Sequence, residues 1–443
     1  MSNPLFAAGH AADIASTAID IAKRLGLAAA ATVNAGEGLS VGVRNGEVET
    51  LEQHRDKVMS VTVFDGQRRG SATTTDFSPE SLAETVNAAA RIARLTEPDP
   101  YAGLLEPRYL ATEVPDLDLD HPWPIGAEEA IDLARRCEVA ARDAEAEVAQ
   151  VDESGVSHYR GVHAYASSHG FTGSYLATRH GVNCIVVGAR DGAMQRGYWY
   201  STARHADALE DPETIGRTAA ARAVAKLGAR KLTTRRAPVL FEARLATGLI
   251  AHLVAAVSGG ALYREASFLR NAAGTQVLPE RFTIDEDPFV PRGLGSTPFD
   301  GEGGAPRRRL LVERGVLTGY VLDGYSARRL GLPPTGNAGG AHNLLVNATA
   351  ADQAALLGEM GTGLLVTDLM GHGLNLLTGD YSRGASGFWI ENGAPAFPVE
   401  EITIAGNLRD MLRGIVAIGG DVELRSAIRT GSILIDEMTI AGD

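Results

Sequence analysis

Imidazoles, carboxylates, thiols and hydroxyls are the groups in this sequence that could hold a metal or attack a carbonyl. His252 stands on the apolar run Leu245–Leu262. A histidine there serves as a satisfied core or interface group, or it touches a peptide bound in a cleft. His342 lies in Gly339-Gly-Ala-His-Asn343 and His372 in Met370-Gly-His-Gly373, both glycine-rich loops. With Asp380 they offer proper metal donors and so an alternative metal site, although no tight spacing joins them. Ser382 and Ser386, in Tyr381-Ser-Arg-Gly-Ala-Ser-Gly387, lack the Gly-x-Ser-x-Gly elbow of a serine hydrolase. Arg383 is expected to pair with Asp380 across that turn. The runs Gly336-Asn-Ala-Gly-Gly340 and Gly371-His-Gly373 make no phosphate cradle, because no Gly-Lys-Ser/Thr follows either. They suit tight strand turns or the close approach of a peptide backbone.

The elements that must position these groups follow from spacing and punctuation. Ala11–Leu25 repeats apolar residues at helical spacing, with Gly26 as its stop. Leu39–Glu49 and Val58–Phe64 alternate as strands; Asn45-Gly46 signals a hairpin and Asp65-Gly66 a further turn. Ser78-Pro79-Glu80 opens a helix as N-cap, N1 proline and acidic first turn. Pro98–Pro124, rich in proline and aspartate, is expected to be a long surface connection. Glu128–Val148 predicts a helix, Ala149–Tyr200 a run of strands, and Asp211-Pro212-Glu213 a helix reaching Leu227. Arg230–Pro238 is polar and basic, which sets a boundary between domains at 1–232 and 233–443. Beyond it come the strand Pro238–Glu242, the apolar run as a buried core helix, and mostly strands around Arg314-Gly315 and Asn392-Gly393. Two helices are expected to interrupt them, near Ala350–Met360 and Leu408–Arg413. The fold class is α+β: a helix-bearing α/β amino-terminal domain, then a strand-rich, barrel-like carboxy-terminal domain.

Composition bounds the partners. The chain has 443 residues, too many for one ordinary core, and 44% hydrophobic against 22% charged residues suits a globular protein. A net charge of −14 repels phosphate backbones, so nucleic acid is an unlikely partner despite Arg307-Arg308-Arg309, which should edge a strand. Two cysteines, Cys137 and Cys184, cannot build a disulfide framework and fit a reducing cytoplasm. The start, Met1–His10, lacks the basic region of a leader. The apolar run carries Thr247, His252 and Ser258 between Arg244 and Arg264, which argues against a membrane span.

Six stretches, in order, carry a resemblance over nearly the whole length. They are Val43-Arg-Asn-Gly-Glu-Val-Glu49, Thr297-Pro-Phe-Asp300 ahead of Glu302-Gly303, Tyr325-Ser-Ala-Arg-Arg-Leu-Gly331, Gly361-Thr-Gly363, Thr378–Gly387 and Ile402-Thr-Ile-Ala-Gly-Asn407. Together they resemble the PmbA/TldE family, the sister of the TldD metallopeptidases. In the catalytic sister a helical His-Glu-x-x-x-His motif and a later Cys-Gly hold the metal. The resemblance sets Ala251, His252 and Ala256 at that His, Glu and His, and Thr430-Gly431 at the Cys-Gly. Methyl groups donate no lone pair and a neutral hydroxyl is a poor zinc ligand, so no metal is expected in this chain. The resemblance thus implies a non-catalytic subunit of a cytoplasmic TldD/TldE metallopeptidase, with zinc in a TldD-like partner and unfolded or short peptides as substrates. His252, His342, His372 and Asp380 are the expected cleft residues. The alternative is a stand-alone homodimer that binds peptides. A family label of DNA gyrase modulator need not mean DNA contact, given the acidic charge.

Overall fold

The computed structural model describes residues 7 and 9–442, so most of the Met1–His10 segment lies outside the described residues. Its amino-terminal half is built on one long antiparallel sheet, ordered β3–β2–β1–β4–β5–β6. The strands are β1 (Ala28–Arg44), β2 (Glu47–Asp65), β3 (Arg68–Thr74), β4 (Val148–Ser167), β5 (Thr172–Arg190) and β6 (Ala193–Ala203). The β1–β2 turn is the expected one: Asn45 and Gly46 both take positive φ, 53° and 77°, which matches the twist of the flanking strands. Alternate residues of β1 from Ala29 to Val43 face one side. Helices α1 (His10–Arg24) and α2 (Pro79–Leu95) cover Ala29–Ala35. Helices α3 (Ala127–Arg142) and α4 (Pro212–Val224) cover Leu39–Val43. Glycine lets them settle closely: a Cβ on Gly197 of β6 would lie 2.2 Å from the Ala219 carbonyl of α4.

The carboxy-terminal half winds a closed barrel. Strands β7 (Arg235–Phe241), β12 (Gly363–Met370), β13 (Asp380–Glu391), β14 (Ala394–Asn407) and β17 (Ile433–Ala441) pair in the ring β14–β13–β12–β7–β17, and β17 returns to β14. Strand β15 (Ile415–Ile418) adds to β17. Beside the barrel stands a smaller sheet, β10–β9–β8–β11–β16, formed by Val316–Leu317, Arg309–Glu313, Ile284–Asp287, Asn343–Val346 and Ile428–Arg429. Every ring strand feeds one core, through Phe241, Val366, Tyr381, Ile404 and Ile435, for example. Helix α5 (Ala243–Ala256) adds Leu249, Ile250, Leu253 and Ala256 to it. A second core, with Leu240, Leu365, Ile390 and Leu434, is closed by α8 (Gln353–Met360).

Several expectations change. The apolar run is not one helix: α5 ends at Ala256 and α6 (Gly259–Tyr263) starts afresh after Ser258, whose following Gly259 amide bonds the Val321 carbonyl. No helix among the described residues is long and apolar enough to cross a membrane. Helix α3 stops at Arg142, because the chain turns there to enter β4. Helix α7 (Gly324–Leu330), capped by Asp323, was hidden by a weak apolar pattern; α9 (Leu408–Arg413) falls where expected. The 98–124 connection is not simply superficial. It buries Leu105, Leu117 and Leu119, and the Arg328 guanidinium of α7 donates to the carbonyls of Tyr101, Gly103 and Leu104. The two halves are also joined by a two-pronged ion pair, Arg222 of α4 to Glu242 ahead of α5, at 2.9 and 2.8 Å.

Candidate functional site

Helix α5 leaves the end of β7 and packs against β12 and β16, so residue 430, just after β16, follows a strand that touches the helix. Ala256 is fully buried in the core and Ala251 half-buried; neither methyl can bind an ion. The Thr430 side chain is buried, and its hydroxyl donates to the Gly431 carbonyl at 3.2 Å. Gly431 must be glycine, since a Cβ there would sit 1.9 Å from the Gly419 carbonyl oxygen. The donors of a zinc site are therefore not present at these positions, and no catalytic step through a metal is available to them.

Between the emptied positions stands His252, half-buried, its ring edge-on to Tyr381 with centroids 6.1 Å apart. Burial and then the neighbouring Arg383 cation hold its imidazole below the usual range, so it stays neutral near pH 7. Burial likewise pushes the Tyr381 hydroxyl up to about 12. Tyr381 and Arg383 are two apart on β13 and so share a face. That face points into the core, away from exposed Asp380. The expected Arg383–Asp380 pair does not form: Asp380 accepts instead from Thr378 and Asn407, at 2.6 and 3.2 Å, which lowers its pKa. The period-two alternation of β13 was the signal for this grouping, but it became readable only once Tyr381 was seen to meet α5.

The remaining residues disperse. His342 is 7% exposed and locked in a polar network: its Nε2 meets the Gly336 carbonyl at 2.9 Å and its amide donates to Glu286. Glu286 is itself paired with Arg309 at 2.7 Å. A side chain so enclosed cannot wall a cleft, which corrects that expectation. His372 is exposed in the β12–β13 hairpin, where Gly373 abuts the Ser382 carbonyl so closely that no Cβ would fit. Among the described residues no three His, Cys, Asp or Glu side chains are grouped to hold a metal, so His342, His372 and Asp380 make no alternative site. Cys137 and Cys184 are free thiols buried in one cluster.

Two of the concave regions where the halves meet bear on the site. One, about 630 Å³, runs between the sheet-edge strand β6 and the barrel, past Tyr198, Lys226, Asp368, Met370 and Glu400. The other, about 210 Å³, is floored by Thr32, Ser60 and Thr62 and closed by Tyr165 and Glu302. Burial raises the Glu302 carboxyl from 4.5 to about 7, although its Oε2 accepts the Gly324 amide at 2.7 Å. Sequence reading quoted Glu302 only as part of a motif.

A closed barrel beside a small sheet, behind a long antiparallel sheet clad in helices, is the fold of a metallopeptidase-related protein. The chain belongs to the PmbA/TldD family, in its PmbA/TldE branch: it matches the PmbA/TldA metallopeptidase domain 1 at residues 29–93, the central domain at 120–227 and the C-terminal domain at 234–442. It is 46% identical to the Metalloprotease PmbA of Escherichia coli O157:H7, covering 96% of this chain and 95% of that one. The Haemophilus influenzae homolog is 44% identical over 97% and 95% of the two chains. Among solved structures, a candidate modulator of DNA gyrase from Bacteroides thetaiotaomicron superposes with a TM-score of 0.92 at 26% identity, covering 97% of this chain and 98% of that one. TldE from Thermococcus kodakarensis shares the fold at a TM-score of 0.85 and 22% identity, over 97% and 100%.

Proposed function

We propose that this chain is the non-catalytic subunit of a two-chain metallopeptidase that cuts unfolded or short peptides. The observation that carries this reading is the absence of an imidazole, thiolate or carboxylate at Ala251, Ala256 and Thr430 in a chain that matches the family's three domains. A TldD-like partner supplies the metal and the general base; the metal's chemistry is to polarise the scissile carbonyl and activate water. This chain's own contribution is to wall the cleft, to exclude water and to hold extended peptide. The groove beside β6 supports that role, since an edge strand can pair with a peptide as an added strand. The reaction belongs in the cytoplasm, and the assembly is a mixed dimer.

The test is to purify the chain alone and together with a TldD-like partner, and to measure zinc content and cleavage of an unfolded peptide. The expected result is zinc and cleavage only with the partner. Stoichiometric zinc and cleavage by the isolated chain would refute the reading.

A further inference from the structure

Arg383 carries a charge that no acid among the described residues balances. Its Nε is buried without a hydrogen-bond partner, and no carboxylate of the described residues pairs with the guanidinium. Arg244 also has an unpartnered buried Nε, but its Nη2 reaches the Thr367 carbonyl at 2.8 Å and Asp368 at 3.8 Å. Arg429, on the strand packed against α5, also has a buried Nε without a partner, and no acid among the described residues pairs with it. A partly buried cation with no acid beside it is costly, so a folded chain retains one where an anion will meet it. The groups facing Arg383 from the neighbouring elements are the His252 imidazole of α5 and the Tyr381 hydroxyl of its own strand. Neither carries negative charge near neutral pH. The half-buried His252 imidazole can help complete an anion's coordination, while the buried Tyr381 hydroxyl bonds the guanidinium and holds it in place.

The position gives the observation its meaning. Arg383 lies beside residue 252, at the centre of the positions emptied of metal donors. A fixed positive charge thus stands next to the half-buried imidazole of α5. A guanidinium cannot lower the pKa of a water as a metal does, but its planar fork matches a carboxylate with two parallel hydrogen bonds. We propose that Arg383, with the half-buried His252 beside it and buried Tyr381 behind it, is a carboxylate-binding subsite that takes the C-terminal carboxylate of a peptide. This inference rests on the peptide-cleft reading above for its ligand, and on the unpaired guanidinium for its chemistry. It makes the degenerate position a holding site for the end of a peptide rather than a vestige.

The experiment uses the full chain and three tetra-alanine probes titrated by calorimetry: the free acid, its C-terminal amide, and an amide with aspartate at the last position. The free acid should bind at least tenfold more tightly than either amide, and Arg383→Gln should erase the difference. Arg383→Lys should keep part of it, because an ammonium makes a point contact only. Equal binding of free acid and amide, or a preference that survives Arg383→Gln, overturns the subsite while leaving the peptide-cleft reading standing. Tighter binding of the aspartyl amide overturns the C-terminal assignment. Acetate titration, followed on the ring resonances of His252, tests the subsite without a peptide: a saturable shift lost in Arg383→Gln supports it, and no shift refutes it. If none of the three peptides binds yet acetate does, the cleft reading has failed and the anion site has not. A folding control separates structural from binding roles. Arg383→Gln should melt at or above the parent temperature, since it removes an unpaired charge, whereas a structural arginine would lower it.

Discussion

Replacing Glu302 by glutamine should uncouple the stability of this protein from pH between about 4.5 and 7. Burial between the two halves raises the carboxyl from 4.5 to about 7, and Asp300 and Asp323 push the same way. The sign follows from proton binding. The folded chain holds the Glu302 proton to a higher pH than the unfolded chain, so its favourable contribution is complete below 4.5. That contribution is lost as pH rises through about 7, because the unfolded chain ionises freely and the folded one must bury a charge. At about 1.4 kcal/mol per pH unit, the interval from 4.5 to about 7 corresponds to about 3.5 kcal/mol at most. Glutamine mimics the protonated acid and can still accept the Gly324 amide, so Glu302→Gln should match the parent at pH 4.5 and exceed it by about 3 kcal/mol at pH 8. Urea unfolding midpoints of both proteins from pH 4.5 to 8 provide the assay. A constant difference across that range would refute the account, and a parent more stable than the variant at pH 8 would reverse it.

Other perturbations test other joints. Ala251→His, His252→Glu, Ala256→His and Thr430→Cys together should create a stoichiometric zinc site, read by metal emission after dialysis; no bound zinc would mean that α5 and residue 430 are not the matching positions. Arg222→Ala strands Glu242 beside α5 and should cost about 3 kcal/mol, seen as faster proteolysis near residues 228–234. The paired change Arg222→Met with Glu242→Met should recover most of that loss. Gly431→Ala forces a methyl to within 1.9 Å of the Gly419 carbonyl, and the strain of about 2 kcal/mol should appear as a lowered melting temperature. A melting curve unchanged from the parent would show that this turn yields easily.

The sequence by itself determined much of this protein. Local chemistry is written locally, so the Asn45-Gly46 and Asn392-Gly393 hairpins, the Ser78 and Asp211 caps and the Leu408–Arg413 helix were all legible. The alanines at 251 and 256 were legible too, and a methyl cannot bind zinc wherever the chain carries it. Only the tertiary structure decided which residues stand beside that gap. Tyr381 and Arg383 lie far along the chain from His252, and their meeting depends on β13 closing into a barrel around the core that α5 enters. The same holds for His342, whose glycine-rich setting suggested a cleft until Glu286 and Gly336 enclosed it. Spacing records a period along one strand or helix; burial, charge balance and pKa are set by whatever the fold brings against it.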